Sequence, residues 1–285
     1  MGSLTLRKDG IVPKQVIKSP TGTYEILKRI GETACFNLYL CKSGEITFIL
    51  KIAATVEHNA LLDREAFVLQ EMRSEAARLE DEYARIKDNP EEVLNYHFCF
   101  PDIVETFIAP NQGSRRVNIL GFSAVDDLGS LVPIRHLMSR DHVRVDRKTS
   151  AWMMGKFLKI LVFAHSQNIS VGRISGDNIL IGRDDHYVAL FDWTLSTMYT
   201  KRISTDVVCK EIAQGAREVI LALGGDLKDG TFFDDEADPD NRYAAYLYAL
   251  ASGEENSAQR AHERFYLLVR SLWPRSYWPF TAYNM

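Results

Sequence analysis

Val171-Gly172-Arg173-Ile174-Ser175-Gly176-Asp177-Asn178-Ile179-Leu180-Ile181, followed shortly by Phe191-Asp192-Trp193, is the stretch that decides how this chain folds. Two short apolar runs, residues 179–181 and 187–191, flank the polar Gly182-Arg183-Asp184-Asp185-His186. That pattern predicts a β-hairpin with a polar loop. Asn178 enters the hairpin and Asp192 leaves it, so an amide and a carboxylate arrive at the same end. Such a pair offers oxygen ligands suited to a hard cation such as Mg²⁺. Asn and Asp are also ordinary turn formers at hairpin ends, and on this stretch alone both readings stand.

Upstream, residues 24–30, 36–41 and 46–53 read as three strands joined by short turns, an antiparallel meander. The third holds Lys51 inside Phe48-Ile49-Leu50-Lys51-Ile52-Ala53. A lysine in that setting is costly to bury without a partner, although its stem can also snorkel to water. Residues 58–87 lack Pro and Gly and are rich in Leu, Ala, Glu and Arg, which predicts a long helix stopped at Asn89-Pro90. Residues 100–109 and 115–122 supply two further strands. Residues 1 to about 20 read as an irregular leader.

Downstream of these, residues 146–168 form a helix in which Met154, Phe157, Leu158 and Leu161 make an apolar stripe, with Thr149 as its N-cap. His165 near its end reads as structural. Helices follow from Ser204-Thr205-Asp206 to Gly224-Gly225 and over residues 243–251 and 258–272. Residues 230–241 form an acidic loop whose spacing matches no EF-hand, so it reads as solvated. The aromatic tail, Trp273-Pro274 through Trp278-Pro279-Phe280, either packs back on the helices or forms a partner-binding patch.

The chain has 285 residues, enough for a sizeable core in one large or two small domains. Its apolar and charged fractions, 46% and 25%, are those of a soluble globular protein. A net charge of −4 argues against a mainly electrostatic nucleic-acid binder. Cys35, Cys41, Cys99 and Cys209 show no zinc-ligand spacing and are expected to be reduced thiols in a cytosol-like compartment. No membrane span, secretory signal or lipid-anchor motif is expected.

Gly-Asp-Asn-Ile-Leu-Ile followed by Phe-Asp-Trp resembles the catalytic loop and metal motif of the protein-kinase-like superfamily, where H-R-D-x-x-x-x-N precedes D-F-G. The resemblance implies an α+β, bilobal kinase-like fold. Residues 1–121 would form an N-lobe of five antiparallel strands and a long helix. Residues 122–131 would be the hinge, and residues 132–285 a mainly helical C-lobe. It further implies ATP or ADP with Mg²⁺ as cofactors, with Asn178 and Asp192 as metal ligands. Gly31 would open the glycine-rich loop, where Thr33 and Phe36 stand for its later glycines. Lys51 would contact the phosphates, and Glu65 would be its partner on the long helix, with Glu71 as the rival. Asp206 would be the buried carboxylate that holds the catalytic loop.

Two departures decide the functional expectation. The family's catalytic Asp falls on Arg173, and a guanidinium has no acceptor lone pair and stays protonated. Without a positioned base, transfer slows by about 10²–10⁴. Asp177 is the nearest acid. Secondly, the span from Asp192 to Asp206 is too short for a standard activation segment, which removes the usual peptide platform. The resemblance therefore implies a nucleotide-binding pseudokinase that acts on a protein partner as scaffold or regulator. A divergent phosphoryl or nucleotidyl transferase and a nucleotide-free interaction module are the alternatives.

Overall fold

The computed structural model describes residues 15–89, 93–123, 125, 127–228, 238, 240–274 and 276–285. Most of the expected leader, Pro90, two positions of the expected hinge and most of the acidic loop lie outside these residues. The chain divides into two compact units, one running to Leu62 with Val104–Gly121, the other comprising Asp63–Ile103 and Phe122–Met285.

The first unit is built on an antiparallel sheet of β1 (Val16–Lys18), β2 (Thr23–Glu32), β3 (Phe36–Ser43), β4 (Ile46–Ala53), β5 (Asp102–Ala109) and β6 (Arg115–Gly121). Their spatial order is β1-β2-β3-β4-β6-β5, so the sheet has six strands rather than the expected five. The addition is β1, within the stretch read as an irregular leader. It pairs with β2 through Val16↔Glu25, Ile17↔Tyr24 and Lys18↔Thr23. Three residues with a proline two positions on carry little periodicity, and pairing to β2 supplies the order.

Strands β3 and β4 pair without interruption from Phe36↔Ala53 to Ser43↔Ile46. One apolar cluster gathers Tyr24, Cys41, Leu50, Ile52, Phe107, Val117 and Ile119, and a second joins Phe36, Ala53 and Leu62. Strand β4 is buried on both faces from Ile49 onward, which explains its unbroken apolar run. Between β2 and β3 the register slips at Ile26/Lys28 and at Arg29/Gly31.

The second unit takes up α1 (Asn59–Ile86) from Asp63 onward, then β7 (Leu131–Pro133), α2 (His136–Ser139), β8 (Val143–Val145), α3 (Arg147–Ser166), β9 (Ile169–Ser170), β10 (Ile179–Gly182), β11 (Tyr187–Leu190) and β12 (Thr197–Met198). Helices α4 (Thr205–Ala222), α5 (Arg242–Ser252) and α6 (Ala258–Leu272) follow, and β13 (Ala282–Asn284) closes the chain. Helix α3 packs against α4 and α6, burying Met154, Phe157, Leu158 and Leu161 as its stripe requires. Its N-cap is Asp146, not Thr149. The Asp146 carboxylate accepts the Thr149 N–H at 2.6 Å, so Thr149 lies inside the first turn.

The aromatic tail packs back on its own unit. Strand β13 pairs with β8, the Tyr277 ring stacks on His186 at 4.6 Å, and Trp152 covers the opposite face of the same imidazole at 4.7 Å. Among the described residues no helix is long and apolar enough to cross a membrane.

Candidate functional site

The predicted hairpin is β10 against β11, in register from Ile179↔Leu190 to Gly182↔Tyr187, with β7 on the other side of β10. Its open end, opposite the turn, brings Asn178 and Asp192 together. The Asn178 side chain, 3% exposed, is bonded on every side. Its Oδ1 accepts the Phe191 N–H at 3.1 Å and the Asp192 N–H. Its Nδ2 donates to the Arg173 carbonyl at 2.7 Å and to the Asp192 carbonyl at 3.1 Å. A carboxamide has two acceptor lone pairs and two N–H donors, and here each has a protein partner. In this arrangement Oδ1 faces backbone N–H groups, the Phe191 one shared with the Asn178 carbonyl.

Asp192 is buried as well, and Thr194 caps it. The Thr194 hydroxyl donates to Asp192 Oδ1 at 2.7 Å and the Thr194 N–H to the same oxygen at 3.2 Å. Trp193 between them is fully buried, with its indole N–H on the Leu190 carbonyl at 2.8 Å and its ring edge-on to Phe100. Its backbone N–H donates to Glu65 Oε1 at 3.2 Å. Glu65 is 0% exposed whereas Glu71, the alternative on the same helix, is exposed. Among the described residues no cluster of His, Cys, Asp or Glu makes a metal site by itself.

The loop from Gly172 to Asn178 is anchored from below by α4. Glu211 Oε1 accepts the Gly172 N–H at 2.7 Å, and its Oε2 lies 2.8 Å from His165 Nε2. Two turns along the helix, the Glu218 carboxylate accepts the Gly176 N–H, and burial raises its pKa. Asp206 does not hold this loop. It sits exposed in the first turn of α4, and Glu211, 2% exposed, takes the expected role. The signal for this lay in the helical phase. Val208, Glu211, Ile212, Gly215 and Val219 form one stripe, so Glu211 is the acid facing inward, whereas Asp206 stands outside it. His165 is structural, as expected, because it bridges α3 to the loop-holding carboxylate.

Arg173 is exposed at the head of this anchored loop, and Asp177 is exposed and ion-paired to Arg135 at 2.9 Å. Downstream, Ser196 closes a turn on the Trp193 carbonyl, through its N–H at 3.0 Å and its hydroxyl at 2.6 Å. Strand β12 then pairs with β9, and α4 starts at Thr205 under a Ser204 cap. The Gly172 backbone has φ +81°, and a Cβ there would land on the Leu195 carbonyl oxygen. Gly172→Ala is therefore expected to lose about 2 kcal/mol of stability, from left-handed strain and displacement of the 195–196 turn. Guanidinium denaturation reads it, and a midpoint equal to wild type would show the loop to be pliant.

In the first unit, Gly31 lies within β2 opposite Leu38, and the turn beyond it is closed on itself. The Thr33 N–H donates to the Phe36 carbonyl at 2.8 Å, and Thr33 Oγ1 accepts the N–H groups of Cys35 and Phe36 at 3.2 and 3.1 Å. Lys51 is 0% exposed, with its ammonium 4.0 Å above the Phe36 ring.

No family model and no curated protein sequence matches the chain. Solved structures do. The structure of vaccinia related kinase 3 superposes with a TM-score of 0.60 at 14% identity, covering 92% of each chain. The fold is protein-kinase-like. A second match, the PknI kinase domain of M. tuberculosis, gives 0.51 at 13% identity over 87% of this chain and 96% of that one. At these identities the likeness carries the kinase-like architecture, and chemistry has to be argued from the site.

Proposed function

We propose that this protein is a nucleotide-binding pseudokinase, a kinase-like regulator or scaffold that does not transfer phosphoryl groups. The observation that carries this reading is Arg173. The loop around it is held as a working catalytic loop would need, with Gly172 on Glu211 and the Arg173 carbonyl on Asn178. Yet the position that must accept a proton bears an exposed guanidinium. Asp177, paired to Arg135, does not replace it. The direct run through β12 into α4 leaves no room for a peptide platform. Lys51 and Glu65, fully buried charged residues in the expected strand and helix, support retention of ATP or ADP binding, because buried charges are costly unless partnered. A nucleotide-free interaction module is the second reading, favoured by the turn at Thr33 whose N–H groups are spent within the turn.

One experiment separates the readings. Wild type is expected to gain thermal stability with millimolar ATP or ADP, as any ligand that binds only the folded state confers, and Lys51→Met to lose that gain. With γ- and α-labelled ATP, wild type is expected to transfer neither label. Arg173→Asp should raise ATP hydrolysis modestly, by restoring an acceptor. Robust wild-type transfer of either label, abolished by Asp192→Ala, would replace this reading with an active transferase. No stabilisation by nucleotide would leave the interaction module.

A further inference from the structure

We infer that the Asn178–Asp192–Thr194 network is a self-satisfied latch, which closes this centre to divalent cations and makes nucleotide binding independent of Mg²⁺. The inference rests on the nucleotide-binding reading for its second half only. Hard cations need oxygen lone pairs, and Mg²⁺ demands six in near-octahedral array. The chain's own groups already bond to Asn178 Oδ1 and Asp192 Oδ1. Asn178 Oδ1 accepts the Asp192 N–H and shares the Phe191 N–H with the Asn178 carbonyl, and the amide protons are fixed by the Arg173 and Asp192 carbonyls. Turning the carboxamide to offer oxygen outward would break bonds at both ends of it, inside a buried site.

Asp192 is restrained by the residue two positions on. Threonine stands where the resemblance has glycine, and glycine has no side chain to offer. The Thr194 hydroxyl donates to Asp192 Oδ1 at 2.7 Å, an oxygen that also takes the Thr194 N–H. A hydrogen bond from an adjacent hydroxyl to a carboxylate is charge-assisted, and a cation must displace it to reach that oxygen. Thr194 is 2% exposed, so water does not stand ready to take over the released hydroxyl.

The buried Trp193 lies next to Asp192, which makes terbium luminescence a direct test needing neither nucleotide nor turnover. Titrated with Tb³⁺, wild type is expected to give no saturable tryptophan-sensitised emission beyond that of Asp192→Asn. Thr194→Gly keeps the backbone N–H donor and removes the side chain that carries the hydroxyl. It is expected to bind Tb³⁺ at least about tenfold more tightly, the scale on which groups hydrogen-bonded to a metal ligand act. In parallel, the thermal shift with ATP is expected to be equal in Mg²⁺ and in EDTA. Saturable wild-type emission that Asp192→Asn abolishes would overturn the latch. So would a folded Thr194→Gly protein as inert to terbium as wild type, or an ATP affinity tenfold higher in Mg²⁺ than in EDTA. Absence of any ATP shift, with terbium behaving as expected, would remove the nucleotide reading and leave the closed centre standing.

Discussion

Asn178→Ala is expected to destabilise the second unit by about 3 kcal/mol or more, because the polar groups it serves lose their partners inside the protein. The carboxamide joins the Arg173 carbonyl, the Asp192 carbonyl and the Phe191 and Asp192 N–H groups, and so ties the catalytic-type loop to the strand leaving the hairpin. Truncation leaves the Arg173 and Asp192 carbonyls without that donor and the Asp192 N–H without its acceptor, while the Phe191 N–H retains the Asn178 carbonyl. Each buried unpaired group costs about 1–3 kcal/mol. Asn178→Asp is the informative companion. A carboxylate keeps the acceptor for the two N–H groups but turns a second oxygen toward two carbonyls, where the amide had donated. It is expected to be nearly as destabilising as alanine, although a carboxylate is the best substitute in a site built for a hard cation. Denaturant unfolding of both variants checks this, and an Asn178→Asp protein as stable as wild type would mean the amide protons hold nothing.

What could be read in advance follows from which interactions repeat along the chain. Strand β4 and helix α6 lie at the expected residues, because an apolar run and an amphipathic period each spread one signal over many positions. The β10–β11 hairpin was legible for the same reason. Two expectations that miscarried, the α3 N-cap and the loop-holding acid, each depended on one residue and on a direction. Thr149 against Asp146 is a choice of which oxygen turns back onto a helix end, and several residues in that stretch could do so. Asp206 against Glu211 is a question of helical phase: the resemblance put the role on Asp206, whereas the inward stripe runs through Glu211.

The site chemistry was legible as residue identity but not as bonding. Asn178 and Asp192 come together as the hairpin requires. Whether their oxygens face outward depends on side-chain torsions that no pattern encodes. The hydroxyls of Thr33 and Thr194 are the clearest instances. Both replace glycines of the kinase pattern, and the pattern gives their positions but not what their hydroxyls bond. In the fold each becomes a local hydrogen-bonding group that satisfies neighbouring backbone or carboxylate. Threonine does this readily in turns, since its short side chain reaches groups two or three residues away. One kind of replacement thus closes the turn after Gly31 and the Asp192 centre by the same means.

Gly215→Ala is expected to cost about 3 kcal/mol, against the usual helical preference that would make it stabilising by about 1. Gly215 is in the middle of α4, where it has no positive φ to justify it. Its reason is α3: a Cβ at Gly215 would penetrate the ring of Phe157, which is 1% exposed in the α3 stripe. The ring is buried, and close-packed interiors transmit such a collision into backbone shifts. Helix α4 would therefore move away from α3, carrying Glu211 and Glu218 with it, and the loop they hold would loosen. Hydrogen exchange at the Gly172 and Gly176 amides is expected to accelerate in Gly215→Ala along with the fall in unfolding midpoint. Phe157→Leu in the same chain should relieve the collision, so the double variant should lose less than the sum of the singles. A neutral or stabilising Gly215→Ala, with both amides as protected as in wild type, would show that α3 and α4 pack with slack, and that the loop does not depend on their approach.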